Sequence, residues 1–329
     1  MRAQSGIVMV GVALLAGCAN DGTKGEVGKS RAALESDGAR VVSFGDKASE
    51  LGFEPAVAER AALGAPAVAR LATGETLVLD ALHSRVVRLE LDGSITEVAK
   101  VDRDADDLAV GPDGAFAVKR GSTPKVVVYS ARGARIGELS FRILQDVERI
   151  ELGASRRVTA ISAHQERYLL GSPTFPASEA EVLHSKREGV ASRSDGAGLS
   201  ILRSSDGEIS LVSTRKGSDD ERSVEVSRVR VGDGASARIV GVTGDVACMR
   251  VEHLAKSNEI AVDREAVCVD AVLGTIVFRT PLGAPGLFVP HRELSLEHGF
   301  LTFAKPDASS GGKSGGLRIV SFAVGEKKQ

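Results

Sequence analysis

A forty-residue self-similarity constrains this chain more than any single motif. Gly74 and Gly114, Val86 and Val126, and Gly93 and Gly133 are each forty positions apart, and each pair holds the same place in a strand-turn-strand pattern. The first copy reads Gly74-Glu-Thr-Leu-Val-Leu-Asp80, then Arg85-Val-Val-Arg-Leu-Glu-Leu-Asp92-Gly93. The second reads Gly114-Ala-Phe-Ala-Val-Lys119, then Lys125-Val-Val-Val-Tyr-Ser-Ala-Arg-Gly133. Period-two alternation between turn glycines specifies short strands, because successive side chains of a strand point to opposite faces. A unit of this length holds about four strands, too few to bury its own apolar face, so the copies must stack. The expected fold is therefore all-β, a β-propeller. Composition agrees: tryptophan is absent and aromatics make up 4% of the chain, whereas aliphatic residues and glycine, the material of short strands and tight turns, are plentiful.

Later copies are degenerate. Residues 147–170 are expected to form a third blade, although Gly153-Ala154 replaces the Asp-Gly turn. Strands at 199–203, 208–214 and 223–231 supply a fourth, 246–278 a fifth and 287–322 a sixth. Dividing residues 66–325 by the repeat length gives about six and a half units, so six blades are expected, with seven as the alternative. The ring is expected to close by pairing residues 40–44 with 317–322. The propeller domain is thus set at 40–325, with a C-terminal tail at 326–329. A long insertion after Pro173-Thr-Phe-Pro176 and a Gly/Ser-rich loop at 306–316 are the places where binding can be carried on a rigid scaffold.

The first two copies resemble NHL-type propeller repeats. Asp92-Gly93 and Asp113-Gly114 match the Asp-Gly turns of that pattern, and Asp80 matches its strand-end acid. The resemblance covers about eighty residues.

At the N-terminus Arg2 precedes an apolar run from Gly6 to Leu15, which is too short for a stable membrane span but suits the core of a signal peptide. The run closes on Leu15-Ala16-Gly17-Cys18, which resembles the lipobox of bacterial lipoproteins, where the signal is cut before the cysteine and that cysteine takes on lipid. The resemblance implies a signal peptide at 1–17, lipidation at Cys18, and membrane attachment through the N-terminal lipid. Each buried methylene of an acyl chain contributes ~0.8 kcal/mol, so several chains make attachment effectively permanent. Ala19 follows the cysteine where the lipoprotein-sorting rule reads Asp as an inner-membrane signal, so the outer membrane is expected, facing the periplasm or the cell surface. With Cys18 as its first residue, the segment 18–39 lacks apolar periodicity and reads as a tether, spanning roughly 25 Å as a random coil. In an oxidising periplasm Cys248 and Cys268, twenty positions apart in two strand-like runs, are expected to pair; two buried reduced thiols are the alternative.

Candidate chemistry is sparse. Asp102, Asp104 and Asp106, with Asp113 at the twelfth place, follow the spacing of a calcium loop only superficially: Asp107 stands where glycine makes the sharp turn. They read as a solvated acidic turn, so no metal and no cofactor are expected. The six histidines, His83, His164, His184, His253, His291 and His298, lack metal-binding spacing. Matching blade positions carry unlike residues, Asp80 in the first copy against Arg120 in the second, so no ring of equivalent ligands forms. Balanced charge, 42 Lys and Arg against 44 Asp and Glu, gives no footprint for nucleic acid. The sequence thus leads to a non-catalytic, outer-membrane-anchored binding or scaffold module whose partners are other envelope proteins, with oligomeric state undetermined. The alternatives are a metal-dependent propeller hydrolase or lyase and a carbohydrate or peptidoglycan binder.

Overall fold

The computed structural model describes residues 38–324, apart from 190, 193–197, 204–207, 217–220, 231–235, 255–261, 284–286 and 309–314. The signal peptide, Cys18 and the tether to residue 37 lie outside the described residues, as does the tail at 326–329. Among the described residues no helix is long and apolar enough to cross a membrane.

Six antiparallel sheets follow one another along the chain. Blade 1 is built from Ala67–Arg70, Thr76–Asp80, Arg85–Leu89 and Ile95–Lys100. Blade 2 follows with Ala105–Val110, Phe116–Arg120, Lys125–Tyr129 and Arg135–Ser140. Blade 3 has Val147–Leu152, Val158–Ser162 and Glu166–Ser172, its outer edge shared by the short strands Phe175–Pro176 and Arg187–Glu188. Blade 4 has Ala191–Ser192, Gly198–Arg203, Glu208–Lys216 and Glu221–Arg230, and blade 5 has Ser236–Thr243, Val246–Leu254, Val262–Asp270 and Thr275–Pro281. Blade 6 combines Leu294–Glu297, Phe300–Asp307 and Gly316–Ala323 with the N-terminal strand Arg40–Ser43. The expected closure is thereby present, with Val41 opposite Arg318 and Val42 opposite Leu317.

The core sits between blades rather than within them. Leu79 and Val86 of blade 1 pack with Leu108 and Phe116 of blade 2; Val126 and Val128 of blade 2 pack with Ile150 and Leu170 of blade 3. Val42 and Ile319 of blade 6 pack with Val78 and Val87 of blade 1, which completes the circle. Near the axis the blades converge, and small side chains fill the shrinking space: Ala67, Ala69, Ala105 and Ala109 on the inner strands are all buried. The repeat glycines sit where the fold needs them. Gly133 turns the outer hairpin of blade 2 at φ +80°, and a Cβ there would lie 1.8 Å from the Val98 carbonyl oxygen of blade 1.

Cys248 and Cys268 form a disulfide across directly paired positions of blade 5. Two segments differ from the sequence reading. Blade 5 begins at Ser236, because its inner strand carries a bulge between Ile239 and Gly241 that interrupts the alternation. The supposed insertion after Pro173 is partly structured. Phe175–Pro176 is a strand, and helix Glu179–His184 starts from a capping box in which Ser178 and Glu181 satisfy each other's backbone N–H groups.

Val42 is buried and Val41 is 42% exposed on the same closing strand. Val42→Ala is expected to lower unfolding stability by about 2 kcal/mol, and Val41→Ala by less than about 0.5 kcal/mol. Equal shifts in the urea midpoint for the two variants would show that the strand does not close the ring in this register.

Candidate functional site

Inner strands of a propeller surround a central channel, and here their charged residues partition it. Val147–Leu152 alternates Ile150 and Leu152, which face the core, with Arg149 and Glu151 on the opposite side. The segment before the inner strand of blade 6 supplies Arg292. Both guanidinium groups line a chamber of about 450 Å³ that opens among the turns following the inner strands. Both also line a smaller space of about 60 Å³ toward the other end of the channel.

Arg292 is held from four sides. Its Nε meets Asp107 Oδ1 at 2.9 Å. One terminal nitrogen donates to Asp107 Oδ2 at 2.9 Å and to the Ile150 carbonyl at 2.7 Å. The other donates to the Leu108 carbonyl at 2.5 Å. Asp107, fully buried, also accepts from the Ile150 N–H at 2.7 Å. One side chain from blade 6 therefore pins blades 2 and 3. Arg149 makes the complementary crossing: it donates to the carbonyls of Ile239 at 3.1 Å and Val240 at 2.7 Å in blade 5. This bond joins two blades that are not consecutive in the chain, since blade 4 lies between them in sequence. Arg149 also meets Glu151 at 3.6 Å, and burial disfavours the charge of the guanidinium.

Glu297 and His298 end the inner strand of blade 6 on the chamber side. Burial pushes the Glu297 carboxyl above the usual range, against the opposing pull of Arg292 and the Ser295 hydroxyl. The Arg70 N–H donates to Glu297 Oε2 at 3.4 Å. His298, in the left-handed region at φ +52°, has its imidazolium form disfavoured by burial and then by the charge of Arg70. The Arg70 guanidinium itself lies 4.1 Å over the Phe300 ring. A carboxyl inclined to keep its proton, an imidazole inclined to stay neutral and the edge of a guanidinium thus share one cavity. Its volume suits a small organic molecule.

Most residues singled out in the sequence lie elsewhere. Asp102 and Asp104 both meet Arg120, at 3.3 Å and 2.9 Å, and Asp106 meets Lys119 at 2.7 Å. The reading of this run as one solvated turn is corrected: Asp107, its last member, is fully buried on the inner strand of blade 2. Among the described residues no three metal-ligating side chains gather. His83 bonds Asp80 at 2.9 Å and His253 bonds Glu265 at 2.7 Å, each outside the channel chambers. His291 Nε2 donates to the Glu148 carbonyl at 2.6 Å beside the smaller space. No linear motif contains Arg149, Arg292 or Glu297, and Asp107 falls in one only as the residue that breaks the calcium-loop spacing. The available signal was charge at positions that strand alternation turns away from the core.

No protein-family profile matches the chain, and no curated protein sequence does. Solved structures do. The chain is similar to a PQQ-bound aldose sugar dehydrogenase from Streptomyces coelicolor at 13% identity and a TM-score of 0.46, covering 85% of this chain and 96% of that one. A gluconolactonase from Xanthomonas campestris gives 10% identity and 0.43 over 88% and 98% of the two chains. A streptogramin B lyase gives 12% identity and 0.39 over 78% of each. The likeness is one of fold. The three similar chains are a dehydrogenase, a lyase and a gluconolactonase, against the expectation of a non-catalytic protein, and at these identities and TM-scores none of their activities carries over to this chain. The lack of a linear motif was weak ground for that expectation, because a propeller assembles a site from residues on different blades.

Two outcomes follow from the channel. Arg292→Met strands Asp107 as a buried charge and is expected to cost about 3–5 kcal/mol, most of it recovered in Arg292→Met/Asp107→Leu; a double variant as unstable as the single one would refute the pin. The raised Glu297 carboxyl keeps its proton in the folded state at a pH where the unfolded chain has released it. The stability it contributes is complete below the ordinary glutamate range and is lost as pH rises through the folded value. Glu297→Gln is therefore expected to gain on the parent in melting temperature as pH rises, and a pH-independent difference would show that Glu297 titrates normally.

Proposed function

We propose that this chain is a lipid-anchored propeller of the bacterial cell envelope that takes a small, anion-bearing organic molecule into its central channel. The observation that carries the ligand reading is the chamber of about 450 Å³ bounded by Arg149, Arg292 and Glu297. Arg149 offers charge-assisted donors in a setting of low dielectric, where a carboxylate or phosphate gains most from a guanidinium. Leu152, Val242 and Leu296 supply apolar wall beside it, so the ligand combines an acidic group with a hydrocarbon part.

The address rests on sequence and redox chemistry. Leu15-Ala16-Gly17-Cys18 supports lipidation at Cys18, Ala19 favours the outer membrane, and the Cys248–Cys268 disulfide fits an oxidising compartment. The NHL-like reading of the first two blades is supported by Gly93, Gly114 and Gly133, all at positive φ in their turns. The scaffold role expected from sequence yields to ligand handling, because charged groups converge inside the ring.

A second reading, proton-transfer catalysis in the same chamber, is favoured by one observation. Glu297 is inclined to hold a proton and His298 to stay neutral, so the chamber presents a carboxyl that can donate and an imidazole that can receive in one cavity.

In a thermal-shift panel of small carboxylates, phosphate esters and neutral sugars, acidic compounds are expected to raise the melting temperature of the parent and to lose that effect in Arg149→Met. No shift by any acidic compound, or shifts that Arg149→Met leaves intact, would overturn the chamber as an anion site.

A further inference from the structure

Hairpin tips in a propeller are solvated and commonly polar, yet on one face of this ring three outer hairpins each expose large apolar side chains. The face is the one on which the chamber opens, defined by the turns that follow the inner strands, such as Gly244-Asp245 and His298-Gly299. The outer hairpins of blades 1, 2, 3 and 5 turn on that same face, as strand direction in an antiparallel blade requires: Asp270 pairs with Val246 beside the Gly244-Asp245 turn, and the Ala271 N–H donates to the Asp245 carbonyl.

The outer hairpin of blade 1 exposes Leu91 at 64%, that of blade 3 exposes Phe175 at 82%, and that of blade 5 exposes Val272 and Leu273 at 58% and 70%. Blades 1, 3 and 5 alternate around a ring of six, so the three tips form a tripod. Together they place four large apolar side chains on the chamber face, a set able to enter the interface of a flat apolar medium. The opposite side exposes Val57, Leu63 and Val289 in links, at 58%, 42% and 47%, and Leu202 and Val262 near strand ends, at 59% and 37%. They do not form a set of hairpin tips.

The chain path indicates what lies against the tripod. Arg40–Ser43 runs antiparallel to Gly316–Ala323, with Arg40 opposite Ile319 and Ser43 opposite Gly316. Ala323 pairs with Phe300, next to the His298-Gly299 turn on the chamber face. Chain preceding Arg40 therefore leaves the blade toward the chamber face. About twenty residues upstream is Cys18, the proposed site of lipid, and a tether of that length reaches roughly 25 Å.

We infer that the propeller docks on the bilayer surface through Leu91, Phe175, Val272 and Leu273, with the chamber opening toward the lipid. The inference rests on lipid anchoring at Cys18. It gives the chamber ligand a source, an amphiphile with an acidic head taken from the membrane interface.

Because the chain has no tryptophan, single tryptophans report without background. The lipidated full-length chain, as Leu91→Trp, Phe175→Trp, Leu273→Trp and Val289→Trp, is reconstituted on vesicles of phosphatidylethanolamine and phosphatidylglycerol carrying lipids brominated on the acyl chain. The three tip variants are expected to show blue-shifted emission and quenching, and Val289→Trp, on the opposite face, neither. Hydrogen exchange on the unsubstituted chain is expected to slow at residues 90–94, 173–175 and 271–274 when vesicles are added. A chain that fails to float with the vesicles overturns the anchor and the docking face together. A chain that floats with its tips unquenched, or with Val289→Trp quenched equally, overturns the docking face alone.

Discussion

No blade of this ring can bury its apolar face without the next blade, and everything else in the molecule follows from that dependence. A four-stranded sheet of about forty residues has two faces and almost no interior of its own. Leu79, Val86, Leu108 and Phe116 become core only when blades 1 and 2 meet. The same holds at each junction in turn, so an open ring would leave two apolar faces in water. Closure by Arg40–Ser43 is the condition under which the other five junctions are stable together. A single strand from the far end of the chain meets that condition, as part of the cluster that joins blade 6 to blade 1.

Degeneracy along the repeat has a structural answer in the channel. Blades 1 and 2 are regular, and their inner strands carry alanine where the sheets crowd the axis. In blade 4 the described part of the inner strand is Ala191–Ser192. Arg149 reaches from blade 3 to the backbone of blade 5, and Arg292 ties blade 6 to blades 2 and 3 through a fully buried carboxylate. Buried ion pairs contribute little net stability but penalise rearrangement heavily, so these two side chains fix which blades face one another. The same placement makes the floor of the chamber polar. One pair of residues thus serves the geometry of the ring and the chemistry of its cavity.

Much of the fold was legible because it is local and repeated. Gly74, Gly93, Gly114 and Gly133 mark turns at a fixed period, and each adopts the positive φ that such turns demand. The closing strand was legible as an unassigned alternating run at residues 40–44, and the disulfide as two cysteines in strands of matching pattern. The cavity was not. Asp107 sits in a run of acids whose other members pair with Arg120 and Lys119 at the edge of the same blade, so its burial could not be separated from their exposure by spacing. Arg292 and Asp107 are 185 positions apart, and nothing in either neighbourhood names the other. The inner strand of blade 5 was hidden by the bulge at Gly241, where the chain gives up alternation so that blades 5 and 6 can approach; a Cβ at Gly241 would lie 3.0 Å from Leu296 Cβ. Local rules failed where the requirement came from a neighbouring blade.

The N-terminal closing strand has a mechanical consequence. Force applied to anything upstream of residue 40 enters the body along a strand of four residues, laid lengthwise against Gly316–Ala323. Load along paired strands acts on their hydrogen bonds at once, in shear, rather than unzipping them singly. The latch of the ring is therefore where any load on the upstream chain would enter, and under tension the first element to yield would be the one whose loss opens the whole circle.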